Sequence, residues 1–424
     1  MRETMMLLAG HSQVSDYKIN TTKKESYELF FVKGALETVR CTETADRAVT
    51  VYVDHGEYRG DAKFFVYPST TFSQKADLIH QAVSRAKLIC NQKYDLPGVD
   101  GYNGQNMIKS NFAEYDPTEL AAKIAKAVFD ADAESDATIN AVEVFINCYQ
   151  EQVINSRGIN KIQTRYDAMV EIIPTANGEG QSVELYEQYN FNTLDEKALK
   201  NDVRAKLAEV KARLVAAPPA QMPTCKVILK DLELSQLFHM LADDLNYATV
   251  YSQSNVFSKG DAVQTAPTGD LLTMGMVDAM PGDVNSSMFD GDGVALHAQT
   301  LIQDGKVVGY YGSSRFGQYI GEEPTGNLRC LCAAPGTATD FETGPYLEVA
   351  SMSAFQLDLY SDYLGGEIRL AYYHDGETVT PVTGISFSGS LRACLNNIRL
   401  SVETTTREGY TGPAKAILEG MNIY

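Results

Sequence analysis

Apolar positions along the first half of the chain alternate between two periods. Residues 28–39 (ELFFVKGALETV) read as a hairpin bent at Lys33-Gly34, where glycine supplies the positive φ of a tight turn. Residues 49–53 and 64–67 are β-branched and aromatic runs split by the turn-like HGEYRGD segment. Thr71 and Gln74 form a predicted capping box. The helix it opens carries Ala76, Ile79, Val83, Ala86 and Ile89 on one face. Residues 91–115 are rich in Gly, Asn and Asp and predict a long loop. Asp116-Pro117-x-Glu119 starts the next helix, which runs to about Asp130: Asp caps, Pro occupies the first turn, and Glu faces the positive end of the dipole.

Val142, Val144 and Ile146 alternate as in a strand, a turn at 155–158 leads to a second, and a third falls near 183–189. Thr193 and Glu196 suggest another capping box. Behind it, Leu199, Val203, Leu207, Val210 and Leu214 form one apolar stripe that ends at Pro218-Pro219. Past residue 224 one helix is expected near 233–245. After it come short apolar runs with frequent turn signals, at 346–352, 367–373, 378–387 and 398–402. The expected fold class is therefore α+β. An N-terminal α/β domain spans 1–217, a Pro-rich linker 218–223, and a β-rich domain 224–424.

Length agrees with two domains, since 424 residues exceed one ordinary core. A net charge of −19, with no basic run longer than Lys23-Lys24, argues against binding to nucleic acid phosphates. Seven scattered cysteines without a CxxC pair fit reduced thiols in a cytoplasmic protein. No stretch approaches the roughly 18 apolar residues of a membrane span.

Candidate chemistry is sparse. Six histidines occur, and no two stand at a zinc-ligand spacing. Cys330 and Cys332 form a CxC pair, which lacks the other two ligands of a tetrahedral site. Asp290-Gly291-Asp292-Gly293 hints at calcium, but Val294 stands where a third oxygen ligand is needed, so a tight turn is the expectation.

The run FDGDGVALHAQTLIQDGKVVGYYGSSRFGQYIGEEPTGNLRC, residues 289–330, resembles the signature of the TldD/PmbA (TldE) family, whose members are also called modulators of DNA gyrase. The fragments that resemble it include IQDGKVVGYY (302–311) and the turn Thr325-Gly326-Asn327-Leu328-Arg329. Gly365-Gly366-Glu367-Ile368, Pro381-Val382-Thr383-Gly384 and Ser388-Gly389-Ser390-Leu391 do so too. The resemblance implies a cytosolic zinc metallopeptidase of two related subunits, of which the catalytic one bears HExxxH on a helix. There two imidazoles hold zinc and the glutamate accepts a proton from bound water.

The corresponding helix here reads LFHMLADDLN. If His239 takes the first histidine position, Met240 replaces the glutamate and Asp244 the second histidine. Asp243 lies about 100° round the helix from Asp244 and cannot simply stand in. The departure places this chain with the TldE/PmbA subunit. The resemblance then implies no cofactor in this chain and zinc in a TldD-like HExxxH partner. It implies a dimer, with that partner or with itself, around a cavity for unfolded peptide. Asp290, Asp292, Thr325, Asn327 and Arg329 are the candidates for lining that cavity. Two alternatives stay open. One is a peptidase active by itself through a degenerate metal site on His239 and Asp244. The other is a non-catalytic, peptide-binding homodimeric scaffold.

Overall fold

The computed structural model describes residues 1–133, 136–219, 225–339, 341 and 343–424. All nine strands of the first sheet precede residue 192. From one edge they run Asn91–Gln92, Tyr58–Phe65, Ala35–His55, Asp16–Val32, Thr138–Asn155, Asn160–Gly178 and Gln105–Met107, with Gln181–Glu184 and Glu187–Phe191 also paired to Asn160–Gly178. Every pairing is antiparallel except that of Gln105–Met107. This half is thus a meander with helices on one side rather than a parallel α/β unit.

The hairpin predicted over 28–39 is real but far longer, with strands of 17 and 21 residues. Lys33 and Gly34 both take positive φ at its tip, as a two-residue turn between twisted strands requires. The HGEYRGD turn is confined to Gly56 and Glu57; Tyr58 already begins the next strand.

Helix starts follow local chemistry closely. Thr71 and Gln74 form the expected box at the head of Phe72–Ala86. Ile89 lies beyond that helix and is exposed. Asp116 caps Pro117–Asp132. The helix Glu196–Val215 differs: its cap is Asp195, whose Oδ1 accepts the Lys197 and Ala198 N–H groups. The Thr193 hydroxyl instead donates to Asn192 Oδ1.

Leu199, Val203, Leu207 and Val210 are buried against Pro117–Asp132 and the sheet. Phe72–Ala86 buries Ile79, Ala82, Val83 and Ala86 with Ile19, Val49 and Val51. Ile19, Tyr27 and Leu29 have the same parity along one strand, so these helices share one face of the sheet.

Pro218 and Pro219 follow the end of Glu196–Val215. Residues 220–223 of the expected linker lie outside the described residues.

The strands after residue 225 form two sheets. The eight-stranded one runs Arg399–Leu400, Lys415–Leu418, Lys226–Lys230, Tyr346–Asp358, Tyr363–His374, Ile385–Ser390, Asn422–Ile423, with Val379–Val382 beside Tyr363–His374. The run expected over 378–387 is therefore two strands, split at Gly384. The six-stranded sheet runs Lys306–Val307, Gln299–Gln303, Met274–Val277, Cys330–Ala333, Tyr410–Pro413, Thr404–Arg407. Helix Asp231–Asp244 packs against strands of both, burying Leu234, Leu237, Phe238 and Leu241 in the largest core.

Candidate functional site

Helix Asp231–Asp244 is the place to look for hydrolytic chemistry. His239 is half-buried, and its Nδ1 lies 2.9 Å from the Ser235 carbonyl oxygen one turn back and 3.1 Å from Ser235 Oγ. Asp244 does not join it. Its Oδ1 accepts the Val256 N–H at 2.7 Å and its Oδ2 the Phe257 N–H at 2.9 Å. Asp244 is 6% exposed, and its carboxylate caps the loop after the next short helix, Tyr247–Tyr251. The expected His239–Asp244 pair is therefore not assembled.

The two amides hold Asp244 away from His239, and the helix sets which carboxylate lies nearer. Residues five apart diverge by about 140°, whereas residues four apart diverge by about 40°. Asp243, at four, is the carboxylate in the field of His239, and it bonds to the Tyr311 hydroxyl. Burial raises its carboxyl above the ordinary range, and His239 and Tyr311 partly offset that.

Met240 packs against the core and has no group that takes a proton. The residues here do not fit a zinc-hydrolase centre: the one carboxylate near the imidazole on its helix, Asp243, is engaged by Tyr311, no second imidazole stands there, and the base is missing. Among the described residues no three His, Cys, Asp or Glu side chains are grouped to hold a metal ion. The CxC pair is divided, with Cys330 buried and Cys332 exposed. Burial and then Asp283 push the Cys330 thiol up to about 12.

The acidic turn at 290–293 is tied into the fold by its own hydrogen bonds. Asp290 Oδ1 accepts the Asp292 and Val294 N–H groups, and Oδ2 accepts that of Asn327. Gly293 takes φ +86, and a Cβ there would sit 2.9 Å from Ile159 Cγ2 in the N-terminal half. The whole turn is a clasp between the halves. Asn20 Nδ2 donates to the Gly291 carbonyl, Lys18 pairs with Asp292, and the Asp100 carboxylate accepts the Ala295 N–H. Lys161, fully buried, pairs with Asp100 and donates to the Gly293 carbonyl.

Thr325 is likewise committed. Its Oγ1 accepts the Gly312 N–H and donates to the Gly326 carbonyl. Of these candidates Asp292 reaches across the seam, Asp290 and Thr325 bond within the C-terminal half, and the Asn327 and Arg329 side chains are exposed. Sequence reasoning missed Lys18, Asp100 and Lys161, which stand 274, 195 and 132 residues from their partners in the turn.

Burial, reinforced by the Asp292 carboxylate, pushes the Asp290 carboxyl up to about 6. A carboxyl raised in the folded state favours folding below its unfolded value of about 3.9, and that contribution is lost as pH rises through about 6. Two units correspond to roughly 3 kcal/mol. We expect Asp290→Asn to flatten the fall in unfolding free energy between about pH 4 and 6.5 by up to that amount. Urea titrations at both pH values check this, and parallel profiles for the two proteins would refute it.

Residues 223–424 match the family described as PmbA/TldA metallopeptidase C-terminal domain. The C-terminal half is a PmbA/TldD-family domain. The fold of the whole chain is similar to that of TldE from Thermococcus kodakarensis, at a TM-score of 0.78 and 14% identity, covering 100% of this chain and 98% of that one. It is similar to a candidate modulator of DNA gyrase from Bacteroides thetaiotaomicron at 0.76 and 13%, covering 100% and 97%. A counterpart from Thermotoga maritima gives 0.73 and 16%, covering 96% of each.

A stretch of 53 residues is 45% identical to Metalloprotease slr0863 of Synechocystis, which is 12% of this chain and 11% of that protein. That match spans about a tenth of the relative. Among the described residues no helix is long and apolar enough to cross a membrane.

Proposed function

We propose that this chain is the TldE/PmbA-like, non-zinc subunit of a cytosolic metallopeptidase that binds and degrades unfolded peptides. A TldD-like partner bearing HExxxH supplies the zinc. The observation that carries the reading is Asp244: the residue at the second ligand position is spent on the Val256 and Phe257 amides, beside a methionine where the base should be. The same observation weighs against a peptidase that works alone through His239 and Asp244.

Peptide binding has support of its own. Strand Ala35–His55 pairs along one side with Asp16–Val32, but Tyr58–Phe65 covers its other side only from Ala48 onward. Among the described residues no strand pairs with the outer edge over 35–46. An open strand edge takes up an extended chain through backbone hydrogen bonds whatever its sequence. The exposed Asn327 and Arg329 side chains remain candidates for the shared cavity.

Reconstitution tests this reading. Incubated alone with an unfolded, carboxymethylated protein, the chain is expected to release no peptides. Mixed with a TldD-type subunit, it is expected to raise hydrolysis above that of the partner alone. Hydrolysis by the chain alone that disappears in His239→Ala would overturn the proposal.

A further inference from the structure

A cleft of about 500 Å³ opens in the N-terminal half, between the sheet and the start of helix Pro117–Asp132. Its sheet wall consists of two adjacent cross-strand rows. Glu43, Glu25, Cys148 and Tyr166 form one, and Cys41, Tyr27 and Ile146 the other. Phe112, Tyr115 and Leu120 make the opposite apolar wall, with Asp116 at the lip.

The charge in this cleft is of one sign. Glu25 and Glu43 are directly opposite each other on neighbouring strands, an arrangement that repels. Neither forms an ion pair among the described residues, and no Lys, Arg or His lines the cleft. Aromatic rings beneath unneutralised carboxylates complement an organic cation: the carboxylates receive its charge and the ring faces its body. Tyr115 already carries one cation this way, with Lys123 Nζ 5.7 Å from its ring centroid.

Position selects the occupant. Cys41, Thr42 and Glu43 belong both to the cleft and to the open strand edge over 35–46. A chain added to that edge would place every second side chain on the face where Cys41 and Glu43 lie. Resting on the peptide-binding reading above, we propose that this cleft is a specificity subsite for a peptide with a basic residue beside a large apolar one. Glu25 and Glu43 take the guanidinium or ammonium group, and Tyr27, Tyr115 and Tyr166 take the apolar neighbour.

The test uses three blocked hexapeptides, Ala-Ala-X-Phe-Ala-Ala, in which X is arginine, its neutral isostere citrulline, or glutamate. The full-length protein is titrated with each by calorimetry. In parallel, alkylation of Cys41 is followed by peptide mapping, with Cys90 and Cys332, exposed but outside the cleft, as internal references. The arginine peptide should bind about tenfold more tightly than citrulline, slow alkylation of Cys41 but not of Cys90 or Cys332, and lose its advantage in Glu25→Gln/Glu43→Gln.

That variant removes a like-charge contact and should fold at least as well as the parent. Equal binding of the arginine and citrulline peptides would overturn the subsite and leave the peptide reading standing. So would a preference that survives in the double variant. Failure of all three peptides to bind would overturn the peptide reading itself, and the subsite with it.

Discussion

Lys161→Met should destabilise the protein by about 3 kcal/mol and loosen its two halves from each other. The ammonium is fully buried and is shared between Asp100 and the Gly293 carbonyl, over the Tyr102 ring. Methionine fills a similar volume but leaves Asp100 with only the Ala295 N–H and Gly293 with an unpaired carbonyl. Removing one partner of a buried pair costs about 3–5 kcal/mol, because the other charge stays desolvated. Asp100 keeps 35% of its side-chain exposure, which places the cost at the low end.

Lys18→Met tests the same seam more gently. Lys18 and Asp292 are 15% and 25% exposed, so water screens the loss and about 1 kcal/mol is expected. The chain has no tryptophan, so unfolding in urea is best followed by tyrosine fluorescence and circular dichroism. Limited proteolysis near 218–223 reports separation of the halves. Equal midpoints for Lys161→Met and the parent would refute the clasp.

Restoring the zinc motif should cost stability without gaining zinc. Met240→Glu/Asp244→His recreates the letters HExxxH, but each change meets an environment built for the present residue. Asp244 satisfies the amides of Val256 and Phe257, and stranding buried N–H groups costs about 1–3 kcal/mol each. Met240 packs on the apolar core, where a carboxylate loses solvation. A combined loss of about 3–5 kcal/mol is expected. Thermal unfolding and elemental analysis read both consequences. A stable variant with one zinc per chain would show that only two letters separate this helix from a catalytic one.

Much of the fold was legible because its signals are local. The Thr71–Gln74 box, the Asp116 cap and the Leu199–Val203–Leu207–Val210 stripe each lie within a few turns of one helix. Thr193 misled because a stronger acceptor, Asp195, stood two residues on and the threonine had another partner. The first two strands looked short because residues 35–46 are exposed on both faces, so apolar alternation stops where the strand does not. Their length comes from cross-strand pairing with Asp16–Val32.

The site was legible in one respect and hidden in another. Met240 declared the missing base from a single letter. That Asp244 would cap a loop, and that Asp292 and the Gly293 carbonyl would meet Lys18 and Lys161, depends on contacts between distant segments. No periodicity records them.

The measurement that bears most directly on the central claim is zinc per chain, by elemental mass spectrometry, on protein expressed alone and dialysed without chelator. The account predicts a ratio near zero. A ratio near one that collapses in His239→Ala would make this chain a metalloprotein in its own right and contradict it.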